Sequence, residues 1–409
     1  MCEPLAGRRR DRGASMLSVD QAVAILLERA NRCVDREAVP VIDAHGRTLA
    51  TDVVAGIDVP PADNSAMDGY ALRRADWSPG GPALPISQRV TAGSAPGPLT
   101  PRTAARVFTG AEIPAGADTV VMQEDCTATN DAVRIPDLPA PGSNIRRRGQ
   151  DVERGQRVLA AGRRLRSQDL GLTASLGLAE VAVWRRLRVA ILSTGDELVE
   201  PGRAAGPGQI YNSNRFTLAG QLTAWGFEVI DLGVARDEPE AVRGALLRGA
   251  EAADVVMTAG GVSVGEEDHV KAAVESLGRL DLWRIAIRPG KPFAFGRVGD
   301  TPFLGLPGNP VSVFVTLLII ARPFLFACQG REGGRVRPLP QAAGFSKPGG
   351  TREEYLRVRC GAAGLELFPN QSSGVLFSTS WADGFVRQRT GEAIRAGSTV
   401  DFLPWALFE

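Results

Sequence analysis

From Trp184 onward the chain alternates short apolar strands with helical stretches, and this rhythm limits its fold more than any other feature. Strand RVAILS runs through the loop TGDELVEPGRAAGPGQIYN into helix SNRFTLAGQLTAWG, which stops at Gly226. Strand FEVIDLG leads to helix DEPEAVRGALLRGAEA, with Asp237 as the expected cap and Pro239 in its first turn. Strand ADVVMTA meets the loop GGVSVG and helix EEDHVKAAVESLG. LDLWRIAI, a Pro-Gly-rich stretch and helix NPVSVFVTLLIIARPFLFA follow. Strand–helix alternation at this spacing predicts a doubly wound, mostly parallel sheet covered on both faces.

The rest of the chain has a different grain. At 409 residues it is too long for one ordinary core. Residues 18–31 have helical periodicity behind Ser18, a typical N-cap. From Thr51 to about Asp151, short apolar runs are split by Pro, Gly and Asn, as in a small all-β module. Residues 167–180 return to helix, so the β module reads as an insertion. The expected fold class is multidomain α/β and β. A split helical domain covers 16–52 and 152–186, and an inserted β domain covers 53–151. The α/β domain spans 187–331, and a small β-barrel-like domain occupies 332–409 after a Gly-rich linker.

Composition excludes several functions. A formal net charge of +1 gives no long-range pull toward nucleic acid or membrane, so any anion site must be local. His45 and His269 are the only histidines, which disfavours a histidine zinc site or a Ser-His-Asp triad. Five scattered cysteines and no apolar stretch behind the N-terminal arginines predict reduced thiols and a cytoplasmic setting. The longest apolar run, Val311 to Ile320, reads as a buried helix rather than a membrane span.

Lysine is also scarce: only Lys271, Lys291 and Lys347 stand among many arginines. Lys291 lies in RPGKPFAFG, followed by GLPGNPVS, between Arg288 and Ser312. Proline fixes φ and glycine permits φ > 0, so this stretch reads as a rigid receptor for an oxyanion. In a doubly wound sheet, ligands bind beyond the carboxyl ends of the strands. Loops expected there carry Glu197, Asp237, Gly260, Gly261, Ser263 and Asp268, together with Lys291, Pro307 and Pro310. Glycine-rich backbone at a helix start suits phosphate, and carboxylates beside it suit Mg²⁺. Taken singly, each has an ordinary explanation as a turn, cap or solvated acid. Their convergence points to nucleotide or phosphoanhydride chemistry. In NIRRRGQD, strand alternation would let at most two of Arg146, Arg147 and Arg148 grip one anion.

DNSAMDGYA, FTGAEIPAGADTVVMQE, NIRRRGQD, STGDEL, GGVSVGEED, RPGKPFAFG and GLPGNPVS occur together and in this order. The combination resembles the MoeA family of molybdopterin molybdenumtransferases, related to the gephyrin E domain. The resemblance implies a homodimer of four-domain subunits with the active site near the subunit interface. The implied reaction inserts molybdate into adenylylated molybdopterin and releases AMP, assisted by Mg²⁺. It also implies contact with other cofactor-biosynthesis proteins and recipient molybdoenzymes, and none with nucleic acid or membrane. By position, Asp68, Thr109, Asp151, Asp237 and Lys291 match catalytic residues. Glu197 and Asp268 match metal ligands. Gly260, Gly261, Ser263, Arg288, Pro307, Pro310, Ser312, Arg352 and Ser373 match substrate-binding positions. Arg284 and Arg288 stand where the family often has lysine, and Tyr211-Asn212 replaces a commoner Tyr-Asp. The alternatives are the adenylylation step that precedes molybdate insertion, which uses the same α/β domain, and a non-enzymatic cofactor-binding scaffold.

Overall fold

In the computed structural model, which describes residues 16–261 and 269–409, the first helix is Val19–Arg29. The Ser18 side chain accepts from the Gln21 N–H, and the Gln21 side chain accepts from the Ser18 N–H. This reciprocal capping box satisfies two donors that a helix start otherwise leaves open. Val19, Ala22, Val23 and Leu26 form the buried stripe. They pack into the same core as Ile285, Val311 and Phe324 of the α/β region. The N-terminal helix is thus part of the α/β core.

The two segments flanking the β module meet in a three-stranded antiparallel sheet. Glu180–Trp184 lies between Arg36–Pro40 and Thr48–Leu49, an addition to the helices expected there. Within the module, Gly69–Leu72, Leu84–Val90, Ala104–Val107, Thr119–Met122, Thr127–Ala128 and Ala132–Arg134 make one six-stranded sheet. A side chain at Gly69 would collide with the Val121 carbonyl of the neighbouring strand. The strand after Asp68 therefore needs glycine at its start.

The α/β sheet runs Glu228–Ala235, Arg188–Thr194, Val255–Ala259, Thr301–Leu306, Pro292–Val298, Gly278–Arg284. The first four strands are parallel; Pro292–Val298 runs against them, and Gly278–Arg284, antiparallel to it, runs with them again. The reversal comes from Gly299-Asp300, a two-residue connection with Gly299 at φ +57°, which can join only antiparallel neighbours. Successive residues of strand Arg188–Thr194 face opposite cores. Val189 and Ile191 join the cluster under the N-terminal helix, and Ala190 and Leu192 join the cluster under helices Pro239–Ala252 and His269–Leu277. Burial on both faces explains the unbroken apolar run.

Helix Pro310–Cys328 is apolar and long enough to cross a membrane, yet 83% of its most apolar stretch is buried inside the protein. It is a core helix. It widens to π geometry over Leu317–Ala321, just before Pro323, which has no N–H to donate to the preceding turn. The C-terminal sheet runs Ile287–Arg288, Glu353–Gly361, Gly384–Gln388, Thr399–Pro404, Leu339–Ala342. Its first member belongs to the lysine-bearing loop: Ile287 and Arg288 pair in parallel with Glu353 and Glu354.

Two local expectations are corrected. Helix Pro239–Ala252 is capped by Glu238 without a side-chain bond, not by Asp237, whose N–H instead donates to the Asp196 carboxylate at 3.2 Å. Pro239 at N1 lacks a donor, so the first turn has fewer N–H groups needing a cap. The strand in NIRRRGQD is only Ile145–Arg146, so strand alternation does not govern Arg147 and Arg148.

Candidate active site

A cavity of about 980 Å³ opens where three parallel strands end and the C-terminal domain closes over them. Thr194 ends the first strand, Gly260 and Gly261 follow the second, and Pro307, Gly308 and Asn309 follow the third. Glu197 and Ile210 line it from the loop after Thr194. Arg288, Pro289, Gly290, Lys291 and Ser312 form another part of the wall, and Arg352 and Pro369–Ser373 come from the C-terminal domain.

Backbone geometry fixes these loops. Gly261 has φ +67°, and a side chain there would strike Val270. Gly290 has φ +116°, and a Cβ would lie 2.5 Å from Thr316 Cγ2 on the core helix. Only glycine lets the lysine loop lie this close to that helix. The Asn214 amide donates to the Gly308 carbonyl at 2.7 Å, which anchors the Pro-Gly-Asn-Pro corner. Opposite, the Val311 N–H donates to the Ser373 carbonyl at 3.0 Å, joining the C-terminal loop to the start of the core helix. Gln371 bonds both ways with the backbone of Arg357, at 3.0 and 3.1 Å. Arg357 is itself buried, donates to the Ser372 carbonyl, and has its pKa pushed down to about 10 by burial.

The wall is cationic. Among the described residues the lining carries the cations Arg288, Lys291 and Arg352 and one carboxylate, Glu197. Lys291 is exposed and has no carboxylate partner among the described residues, while its carbonyl accepts from the Ile285 N–H at 2.8 Å. Arg352 donates to the Ile287 carbonyl at 3.3 Å. Arg288 Nη1 lies 3.1 Å from Glu354 Oε1, and Lys347 Nζ lies 3.1 Å from Glu354 Oε2. The arrangement can receive a small oxyanion beside a phosphate-bearing group, because cations and backbone N–H groups share one wall.

Of the residues singled out in the sequence, Glu197, Gly260, Gly261, Arg288, Lys291, Pro307, Ser312, Arg352 and Ser373 line this cavity. Pro310 does not: it occupies the first turn of the core helix. Asp237 is exposed and outside the lining. Ser263 and Asp268 lie outside the described residues. Arg284 is also absent from the lining. Asn212, in place of the family's acid, is buried as the N-cap of helix Ser213–Ala224, where its side chain accepts from the Arg215 N–H.

The β-module candidates form a separate group. Asp68 Oδ1 accepts from the Thr109 N–H at 2.8 Å and from its hydroxyl at 2.9 Å. The backbone N–H and then the hydroxyl hold the Asp68 carboxyl below its ordinary value. Asp151 is exposed, with its N–H bonded to the Val59 carbonyl at 3.0 Å. None of the three lines the cavity. Sequence reasoning missed Asn214, Asn309 and the Pro369–Ser372 turn. The last was signalled by PNQSSG, a turn-rich polar run between strand patterns.

A parallel-sheet cleft with glycine loops, free cations and a second domain as its roof defines an α/β protein built to hold phosphorylated, anionic ligands. Comparison with known proteins makes this specific. Residues 17–177 match "MoeA N-terminal region (domain I and II)", 190–327 match "Probable molybdopterin binding domain", and 341–405 match "MoeA C-terminal region (domain IV)". The molybdopterin molybdenumtransferase of Haemophilus influenzae is 44% identical over 79% of this chain and 80% of its own length. That of Synechococcus elongatus is 38% identical over 90% and 95%. The crystal structure of a molybdopterin biosynthesis MoeA protein from Pyrococcus horikoshii superposes with a TM-score of 0.84 at 29% identity, covering 95% of this chain and 99% of that one. The chain belongs to the MoeA family.

Proposed function

We propose that this protein is a molybdopterin molybdenumtransferase, which inserts molybdate into adenylylated molybdopterin and releases AMP. The observation that carries the reading is the convergence of Lys291, Arg288, Arg352 and Ser312 with the Gly260-Gly261 loop in one cavity of about 980 Å³. Lys291, Arg288 and Ser312 hold the tetrahedral oxyanion. Gly260 and Gly261, with Ser263, receive the pterin phosphate, and Pro307 and Pro310 fix the corner beside it. Arg352 and Ser373 close the site from the C-terminal domain. Held together, the two reactants meet without the entropic cost of a bimolecular encounter, a gain of up to about 7–11 kcal/mol in favourable cases.

The described residues contain no group of three metal-ligating side chains. One carboxylate on a phosphate-binding wall nevertheless suits Mg²⁺, which keeps several waters and takes its remaining ligands from substrate phosphates. Glu197 and Asp268 would hold it, and it would neutralise charge on the pyrophosphate. Asp237, exposed and outside the lining, is assigned to proton handling.

Asp68, Thr109 and Asp151 act in a homodimer, in which the β module of one subunit completes the cavity of the other. Their separation from the cavity lining within one chain supports this assignment. The domain limits proposed from the sequence, the cytoplasmic setting, and contacts with other cofactor-biosynthesis proteins and recipient enzymes go with this reading. The contribution of Arg352 and the 369–373 turn favours insertion over adenylylation, which requires only the α/β domain. The test is AMP release from adenylylated molybdopterin by the purified protein. Release that depends on molybdate is expected. ATP consumption with free molybdopterin would instead establish adenylylation, and neither activity would leave the scaffold.

A further inference from the structure

Glu354 plays no part in the roles assigned above, yet it is the buried counter-charge of the oxyanion wall. Its side chain is 6% exposed, and its two oxygens each meet a cation, Arg288 at 3.1 Å and Lys347 at 3.1 Å. Arg288 and Glu354 are also register partners in the parallel ladder between Ile287–Arg288 and Glu353–Gly361. Backbone pairing and ion pair thus lock the same two residues together. The Arg288 side chain remains 54% exposed and lines the cavity. One Nη is taken by the carboxylate, and the rest of the fork is left on the ligand side.

We propose that Glu354 is a positioning residue for oxyanion binding: it fixes the Arg288 guanidinium from behind, so that the fork is already ordered when the oxyanion arrives. This inference rests on the oxyanion reading of the cavity. Lysine at position 288 would be a point charge that could swing away from such a carboxylate, whereas the planar arginine fork can be held by one nitrogen and still present another. The buried acid therefore gives a physical role to arginine at this position.

The experiment uses full-length protein and molybdate as the probe. In Glu354→Gln, the size and one acceptor are kept but the charge is removed. KM for molybdate in AMP release is expected to rise about fivefold, roughly the ordering cost of one rotamer-rich side chain that is no longer held before the oxyanion binds; a fall would mean that Glu354 acts only as a repelling charge and overturns the inference. In the Arg288→Ala background the same substitution is expected to leave KM unchanged, since a pairwise effect vanishes when its partner is gone. Side-chain ¹⁵N spectra give a readout independent of turnover: rotation of the Arg288 guanidinium should be slow in the wild type and faster in Glu354→Gln. An equal KM shift in the Arg288→Ala background overturns the inference. So does a wild-type Arg288 that rotates as freely as other exposed arginines, which needs no substitution to observe. If wild-type protein releases no AMP, the proposed function fails, while the spectra still decide whether Glu354 holds Arg288.

Discussion

Two cationic segments of this chain look alike in sequence and differ in what they can do. Arg147 is paired with Asp63 at 2.5 Å, and Arg148 with Asp58 at 2.6 Å; the Arg148 N–H also donates to Asp63. Their charges tie the ends of the inserted module together. Lys291 and Arg352, in the other segment's cavity, have no ion pair among the described residues, and Arg288 shares its partner with Lys347. A count of basic residues would rank the arginine triplet first. The charge available to a ligand is set by which carboxylates the fold places within reach.

The largest effect is expected at Lys291. Lys291→Ala should lower molybdate-dependent AMP release by about 10²-fold or more, the order seen when one preorganised electrostatic contact is lost. Its melting temperature should stay near that of the wild type, because the side chain is exposed. Loss of folding with retained specific activity would contradict the assignment. Gly290→Ala tests the scaffold behind the lysine. The clash with Thr316 and the positive φ should cost about 1–3 kcal/mol in denaturant unfolding and reduce activity as well.

The arginine triplet should respond in the opposite way. Arg147→Ala with Arg148→Ala should leave KM for molybdate unchanged and lower the melting temperature only slightly, because both arginines are solvent-exposed and such ion pairs contribute little. A large rise in KM would place the triplet in the oxyanion site.

The smallest effect is expected in pH. Asp58 lies below its ordinary value of 3.8, first because of the Arg154 N–H and then because of Arg148. Asp68 lies below the same value because of Thr109. For such depressed groups, the stabilisation is present above 3.8 and lost as pH falls through the lower folded values. Thermal melts of the wild type should therefore be insensitive to these two groups from pH 8 to about pH 5 and decline below about pH 4. Removing Arg148 should flatten that decline slightly.

Much of the site could be read from residue order because its parts are local. Glycine with positive φ, proline at a helix start and strand–loop–helix alternation are short-range constraints, so Gly260, Gly261, Lys291 and Pro307 were identifiable as loop residues beyond strand ends. The Ser18 cap followed from the same logic. Asp237 did not, since Pro239 moved the helix start one residue on. Asn212 reads as a lost acid in sequence, yet burial makes it a cap. The Pro369–Ser373 turn carried a turn signal but no sign of what it would face.

Residue order alone was enough for the α/β rhythm, the β module between two helical segments, the proline- and glycine-bound lysine loop and, through seven motifs in order, the family. Tertiary structure decided the rest. It placed Ile287–Arg288 in the C-terminal sheet, gave Arg288 a buried carboxylate 66 residues away, and left Lys291 unpaired among the described residues. The physical reason is range. Propensity and periodicity act over a few residues, whereas an ion pair between distant segments depends on strand register and on how two domains pack.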